Sequence, residues 1–117
     1  MKIRLFEKEE HYITCEAGEA VFRENDPGDC MFVVIEGAVD IIIKGNVLET
    51  VDEGGVFGEM SLIENTPRTA AAIAKVDSKL VRIDRDRFMF LIQQTPFFAL
   101  QLMTIMAQRL RRMDELI

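Results

Sequence analysis

From Ile13 to Ile83 the sequence is a succession of short β-branched runs cut by turn residues, and no stretch there sustains a helical period. The runs are Tyr12 to Glu16, Ala20 to Arg23, Met31 to Ile35, Val39 to Ile43, Val47 to Val51, Ala70 to Lys75 and Lys79 to Asp84. Between them lie Gly18, Asn25-Asp26-Pro27-Gly28-Asp29, Glu36-Gly37, Lys44-Gly45-Asn46, Asp52-Glu53-Gly54-Gly55 and Val76-Asp77-Ser78, which supply positive-φ residues and turn caps. Many short strands with this punctuation predict a mainly β protein, a barrel or a jelly roll of the cupin-like double-stranded β-helix type.

The final third changes character. Asp84 to Gln94 reads as a short helix with Phe88, Leu91 and Ile92 on one side, and Thr95-Pro96 reads as an N-cap followed by proline at the first position of a second, longer helix. At 100° per residue, Phe98, Leu102, Ile105 and Leu116 fall beside Ala99, Met103, Met106, Leu110, Met113 and Ile117, an apolar sector about 160° wide. One contact needs a stripe of about 100°, so the sector is expected to serve two surfaces, the roll and another helix. A single domain over residues 1–117 is expected, with the β-roll at about 12–84 and helices at about 85–117.

Composition narrows the function classes. The chain has 117 residues, 49% of them hydrophobic and 29% charged, with only 7 Gly and 3 Pro, which excludes collagen-like and disordered classes. No apolar run approaches the roughly 20 residues of a membrane span, and the start runs into charge at Lys2, Arg4, Glu7 and Lys8, so a cytoplasmic protein is expected. A net charge of −6 argues against a chain that coats nucleic acid or an anionic membrane. Cys15 and Cys30 read as small buried hydrophobes, and His11, the one histidine, as an ordinary surface or structural residue. That inventory provides no multi-histidine metal centre, too few ligands for haem or an iron–sulfur cluster, and no nucleophile with an identifiable base, so neither catalysis nor a metal or cofactor is expected.

The stretch from Gly54 to Ala71 carries the chemistry. It places glycines, then a potential helical turn from Glu59 to Ile63, then Arg68 after a Thr66-Pro67 break. Such a turn offers free backbone N–H groups and the arginine a forked, permanently charged donor, a combination suited to a phosphate. Glu59 is acceptor-only, wrong for phosphate and right for a sugar hydroxyl, so the combination suggests a phosphorylated sugar. A loop closed by an internal Glu59–Arg68 ion pair satisfies the same residues and stays open at this point.

Phe57-Gly58-Glu59-Met60-Ser61-Leu62, then four residues, then Pro67-Arg68-Thr69-Ala70, closely resembles the phosphate-binding cassette of cyclic-nucleotide-binding domains. Asp26-Pro27-Gly28-Asp29 with Phe32 to Val39 is similar to that family's strand-turn-strand, and the likeness extends to the closing pair of helices. The resemblance implies a sensor that binds cAMP or cGMP, with Arg68 on the equatorial oxygens of the cyclic phosphate and Glu59 accepting the ribose 2′-OH. Backbone N–H groups of Gly58, Ser61 and Thr69 would complete a ligand-binding set of Phe57, Gly58, Glu59, Met60, Ser61, Arg68, Thr69 and Ala70. It also implies that Ile41 and Leu48 lie near the base and that Met113 and Asp114 reach over it. Thr69 offers a hydroxyl usable toward a guanine amino group, yet cAMP is preferred because the likeness is closest to bacterial regulators of the catabolite-activator type. Those regulators dimerise through the long helix, which implies a homodimer here, and continue into a helix-turn-helix, for which this sequence has no counterpart before Ile117. Arg109, Arg111 and Arg112 then read as favourable helix-dipole placement and solubility. The expected function is a regulatory domain in which ligand binding moves the C-terminal helix; the alternative is a β-roll dimerisation scaffold that has lost its ligand.

Overall fold

The computed structural model describes residues 2, 3, 5, 6 and 9–115. In chain order it contains β1 (Ile13–Cys15), β2 (Ala20–Phe22), β3 (Cys30–Glu36), β4 (Ala38–Ile43), β5 (Asn46–Asp52), β6 (Val56–Phe57), α1 (Glu59–Glu64), β7 (Ala71–Ala74), β8 (Ser78–Asp84), α2 (Arg85–Gln94) and α3 (Pro96–Glu115). The strands form two antiparallel sheets, ordered β1-β8-β3-β6 and β2-β7-β4-β5, which is the expected mainly β roll. β6 was not among the expected runs: two residues are too few to show a period, and its pairing of Phe57 with Phe32 and Val56 with Val33 depends on β3.

The central strand β3 is an almost unbroken apolar run because its two faces feed two cores. Phe32 and Val34 point between the sheets, with Phe22, Val39, Ile41, Phe57 and Leu80. Met31 and Val33 point to the outer face, where Leu62, Val81, Ile83, Phe88, Phe98, Leu102 and Ile105 cover them. Phe32 and Phe57 stack at 5.3 Å between ring centroids, and Phe22 lies 5.9 Å from Phe57. Each such ring contributes about 1.5–3 kcal/mol by burial, enough to make this trio a rigid floor under the loop that follows β6.

The helices close the outer face. Asp84 caps α2 by accepting from the Arg87 backbone N–H at 2.9 Å. The expected role of Thr95 as the N-cap of α3 is corrected in part: Pro96 does begin the helix, but the Thr95 hydroxyl donates backward to Leu91 O at 2.5 Å and so closes α2. The two helices bend by 115° at that point. On α3, Phe98, Leu102 and Ile105 are buried against the roll, whereas Met103 and Leu110 are 58% and 53% exposed. Leu116 and Ile117 of the expected sector lie outside the described residues. Cys15 and Cys30 are free and buried, as expected. Among the described residues no single helix is long and apolar enough to cross a membrane.

Candidate functional site

Gly58 ends β6 and caps α1 with φ +82°, a left-handed conformation that an L side chain adopts only at a cost. A Cβ there would also lie 2.9 Å from Arg68 Nη1. Gly58 thus turns the chain into α1 and lets the guanidinium approach the backbone. The segment after α1 is anchored to the β2–β3 loop: Arg68 N–H donates to Asp26 O and Asn25 N–H to Arg68 O, both at 2.8 Å. Gly28 in that loop packs so closely that a Cβ would fall 2.3 Å from Ser61 Cβ and 2.4 Å from Thr66 O. Arg85 ties the other end of α1 down by donating to Leu62 O at 2.6 Å.

These anchors bury Arg68 to 3% exposure. Its Nη1 donates to Gly58 O at 2.7 Å, its Nη2 to Cys30 O at 2.6 Å, and its plane lies 4.1 Å from the Phe22 ring centroid. Among the described residues no carboxylate lies within salt-bridge distance of it, and its Nε has no partner. Burial pulls its pKa down from the usual arginine value, with neighbouring charges and Cys30 opposing. A buried guanidinium with an open donor and no carboxylate partner among the described residues has the chemistry to hold an anion.

Glu59 is 1% exposed and does not pair with Arg68, so the closed Glu59–Arg68 loop left open by the sequence is not what forms. Its carboxylate instead accepts from Arg109 Nη1. Arg109 also donates from Nε to Glu49 Oε1 at 2.5 Å and from Nη2 to Val56 O at 2.7 Å. The reading of Arg109 as a dipole-favouring surface charge is therefore corrected, since the residue is 5% exposed. The signal was present: Phe98, Leu102 and Ile105 define a buried stripe, and the next position on it is Arg109. Burial alone would pull Arg109 down, but the carboxylates of Glu59 and Glu49 raise its pKa. Burial raises that of Glu59, with Arg109 opposing. The two directions agree if one cation is shared by two carboxylates, leaving the arginine overcompensated and Glu59 undercompensated.

Phe57, Gly58, Glu59, Met60, Ser61, Arg68, Thr69 and Ala70 line one cavity together with Ile41 and Met113. Phe22 and Arg109 complete it, neither expected at the site from the sequence. Leu48 and Asp114 are not among the lining residues. Continued in regular register from Ile43 opposite Asn46, the β4–β5 hairpin would set Leu48 opposite Ile41; a bulge sets Glu49 there instead. Asp114 is exposed on α3. The cavity holds only about 40 Å³. A larger cavity of about 220 Å³, between the N-terminal segment and β3, has a mostly apolar lining and, among the described residues, no arginine. Size and chemistry therefore point to different places, and the unpaired guanidinium decides for the smaller one.

A family described as cyclic nucleotide-binding domain matches residues 12–95. Among solved structures, the chain is similar to the Thermus thermophilus catabolite activator protein, at 30% identity and TM-score 0.79, over 89% of this chain and 51% of that one. It is similar to cAMP-bound PfPKA-R, at 27% identity and TM-score 0.81, over 91% of this chain and 36% of that one. It is also similar to the c-di-GMP responsive global regulator CLP of Xanthomonas campestris, at 25% identity and TM-score 0.80, over 94% of this chain and 58% of that one. The chain thus spans about half or less of the first two structures and under two thirds of the third.

Proposed function

The chain belongs to the cyclic nucleotide-binding domain family, and on that premise we propose that it is a non-catalytic sensor of a cyclic purine mononucleotide, cAMP rather than cGMP. The observation that carries this reading is Arg68, buried without a carboxylate partner among the described residues and with Nε unsatisfied, in the cavity that also holds Glu59. In this reading Arg68 binds the cyclic phosphate, and the backbone N–H groups of Gly58, Ser61 and Thr69 join it. Glu59 accepts the ribose 2′-OH through acceptor capacity that Arg109 leaves open, a carboxylate having about four lone-pair sites. Phe57, Met60 and Ala70 wall the sugar-phosphate, the base lies toward Ile41, against whose core cluster Leu48 packs, and Met113 faces it from α3.

In this reading the end of α3 at Met113 moves to admit the nucleotide: ligand pockets run to about 300 Å³ or more, against about 40 Å³ here, and Met113 lines that space. A ligand that contacts both the cassette and the helix shifts the helix by its differential affinity for the two positions. The preference for cAMP rests on the likeness to cAMP-bound PfPKA-R, and the likeness to a c-di-GMP responsive regulator makes c-di-GMP the competing ligand.

Ala99, Met103, Met106 and Leu110 form the second edge of α3, and two of them are more than half exposed, which supports a homodimer through this helix. The partners are the nucleotide and a second copy, with no nucleic acid or membrane bound by a chain of net charge −6. The free, buried Cys15 and Cys30 fit the cytoplasm.

Calorimetric titration with cAMP, cGMP, c-di-GMP and 5′-AMP tests the reading. Saturable binding, tightest for cAMP and without hydrolysis, is expected. Tighter binding of another cyclic nucleotide corrects the ligand, enzyme-dependent hydrolysis corrects the non-catalytic reading, and no saturable binding of any of them overturns the sensor.

A further inference from the structure

Glu49 lies on β5, outside the cassette, and is not among the residues lining the cavity. The β4–β5 bulge sets it opposite Ile41, which does line the cavity, so the two side chains share one face of the sheet. From there its carboxylate spans two arginines one helical turn apart on α3, with Oε1 accepting from Arg109 Nε at 2.5 Å and Oε2 lying 3.1 Å from Arg112 Nη1. The Glu49 side chain is 17% exposed and that of Arg109 6%, so the Arg109 contact is largely shielded from solvent. Arg109 is therefore held by Glu49 on one edge of its guanidinium and by Glu59 on another.

We propose that Glu49 is a positioning residue of the nucleotide site: it seats Arg109 so that the Glu59 carboxylate stays directed at a ribose hydroxyl, and it keeps α3 tethered to the roll when Glu59 turns to that hydroxyl. This rests on the nucleotide reading given above. Without a second carboxylate, Arg109 would draw on Glu59 alone, and a Glu59 fully engaged by a guanidinium is a poorer acceptor for a neutral hydroxyl. With Glu49 present, the cluster of two carboxylates and one buried guanidinium keeps an excess of acceptor at the point where a hydroxyl would enter. Glu49 acts through Arg109 and makes no contact with the nucleotide in this account.

Glu49→Gln preserves shape and removes the charge. Two measurements on the whole chain test the proposal. The first is the ratio of affinities for cAMP and 2′-deoxy-cAMP, which a general loss of stability would leave unchanged. Glu49→Gln should lower that ratio at least about fivefold, the low end of coupling between sites, and should have no further effect on it in an Arg109→Met background. The second is amide hydrogen exchange over residues 105–115 without nucleotide, which should speed up in Glu49→Gln while β3 and β8 stay protected. A wild-type chain that binds no cyclic nucleotide overturns the nucleotide reading and this role with it. A wild-type chain that binds and discriminates ribose, beside a Glu49→Gln chain with an unchanged ratio or an equal loss for both ligands, overturns the role of Glu49 alone. Unchanged exchange over residues 105–115 overturns the tether.

Discussion

Arg109 on α3 donates to the carboxylate of Glu59 at the start of α1, so the long helix is joined to the cassette by a buried ion pair. Removing one partner of such a pair is far more costly than never having had it, because the other charge stays buried and uncompensated. Arg109→Met should therefore destabilise the chain by about 3–5 kcal/mol, whereas Arg109→Met with Glu59→Gln should recover most of the loss. Urea unfolding of the two variants measures both quantities. A cost below about 1 kcal/mol for Arg109→Met would place the pair among exposed, weakly contributing bridges.

Glu59 carries a pKa above the ordinary carboxylate value, first because burial disfavours its charge, with Arg109 opposing. The folded chain therefore holds this proton more tightly than the unfolded chain does. The stability contributed in this way is fully present below the unfolded value of about 4.3 and is lost as pH rises through the raised folded value. Glu59→Gln lacks the transition, and Glu49 remains to hold Arg109. In thermal unfolding followed upward from about pH 4, the Tm of the variant minus that of the wild type should rise with pH. A difference that stays flat, or falls, contradicts the raised value.

Met103 and Leu110 are exposed on the edge of α3 turned away from the buried Phe98, Leu102 and Ile105. Sedimentation of the wild type should detect a dimer, and Met103→Glu with Leu110→Glu should convert it to monomer without loss of secondary structure. A wild type that is strictly monomeric at high concentration, with and without nucleotide, means that the broad apolar sector serves the roll alone.

What the sequence made legible was the regular part. The runs at Met31 to Ile35 and Lys79 to Asp84 became β3 and β8 within one or two residues: β3 is a continuous apolar run between the Pro27-Gly28 and Gly37 turns, and β8 carries Leu80, Val81 and Ile83 between the Asp77-Ser78 turn and the α2 cap at Asp84. The Glu59 to Ile63 turn became α1, and ten of the twelve candidate site residues line one cavity. What stayed hidden depended on long-range contacts. The pairing of Glu59 with Arg109 joins residues 50 apart, and that of Arg109 with Glu49 residues 60 apart. The bulge that exchanges Leu48 for Glu49 opposite Ile41 has no glycine or proline to announce it. Phe22 was legible as a strand residue but not as the ring over which Arg68 lies.

The most direct test of the proposed site is a calorimetric comparison of wild type, Arg68→Ala and Glu59→Ala with cAMP and 2′-deoxy-cAMP, after each variant is shown to be folded by circular dichroism. Arg68→Ala should weaken both ligands at least about tenfold, since each lost hydrogen bond to a charge is worth roughly 1.5–3 kcal/mol. Glu59→Ala should weaken cAMP markedly and 2′-deoxy-cAMP much less, because the latter has no 2′-hydroxyl to donate. Affinity that survives Arg68→Ala, or equal losses for the two ligands in Glu59→Ala, would contradict the assignment of Arg68 to the cyclic phosphate and Glu59 to the ribose.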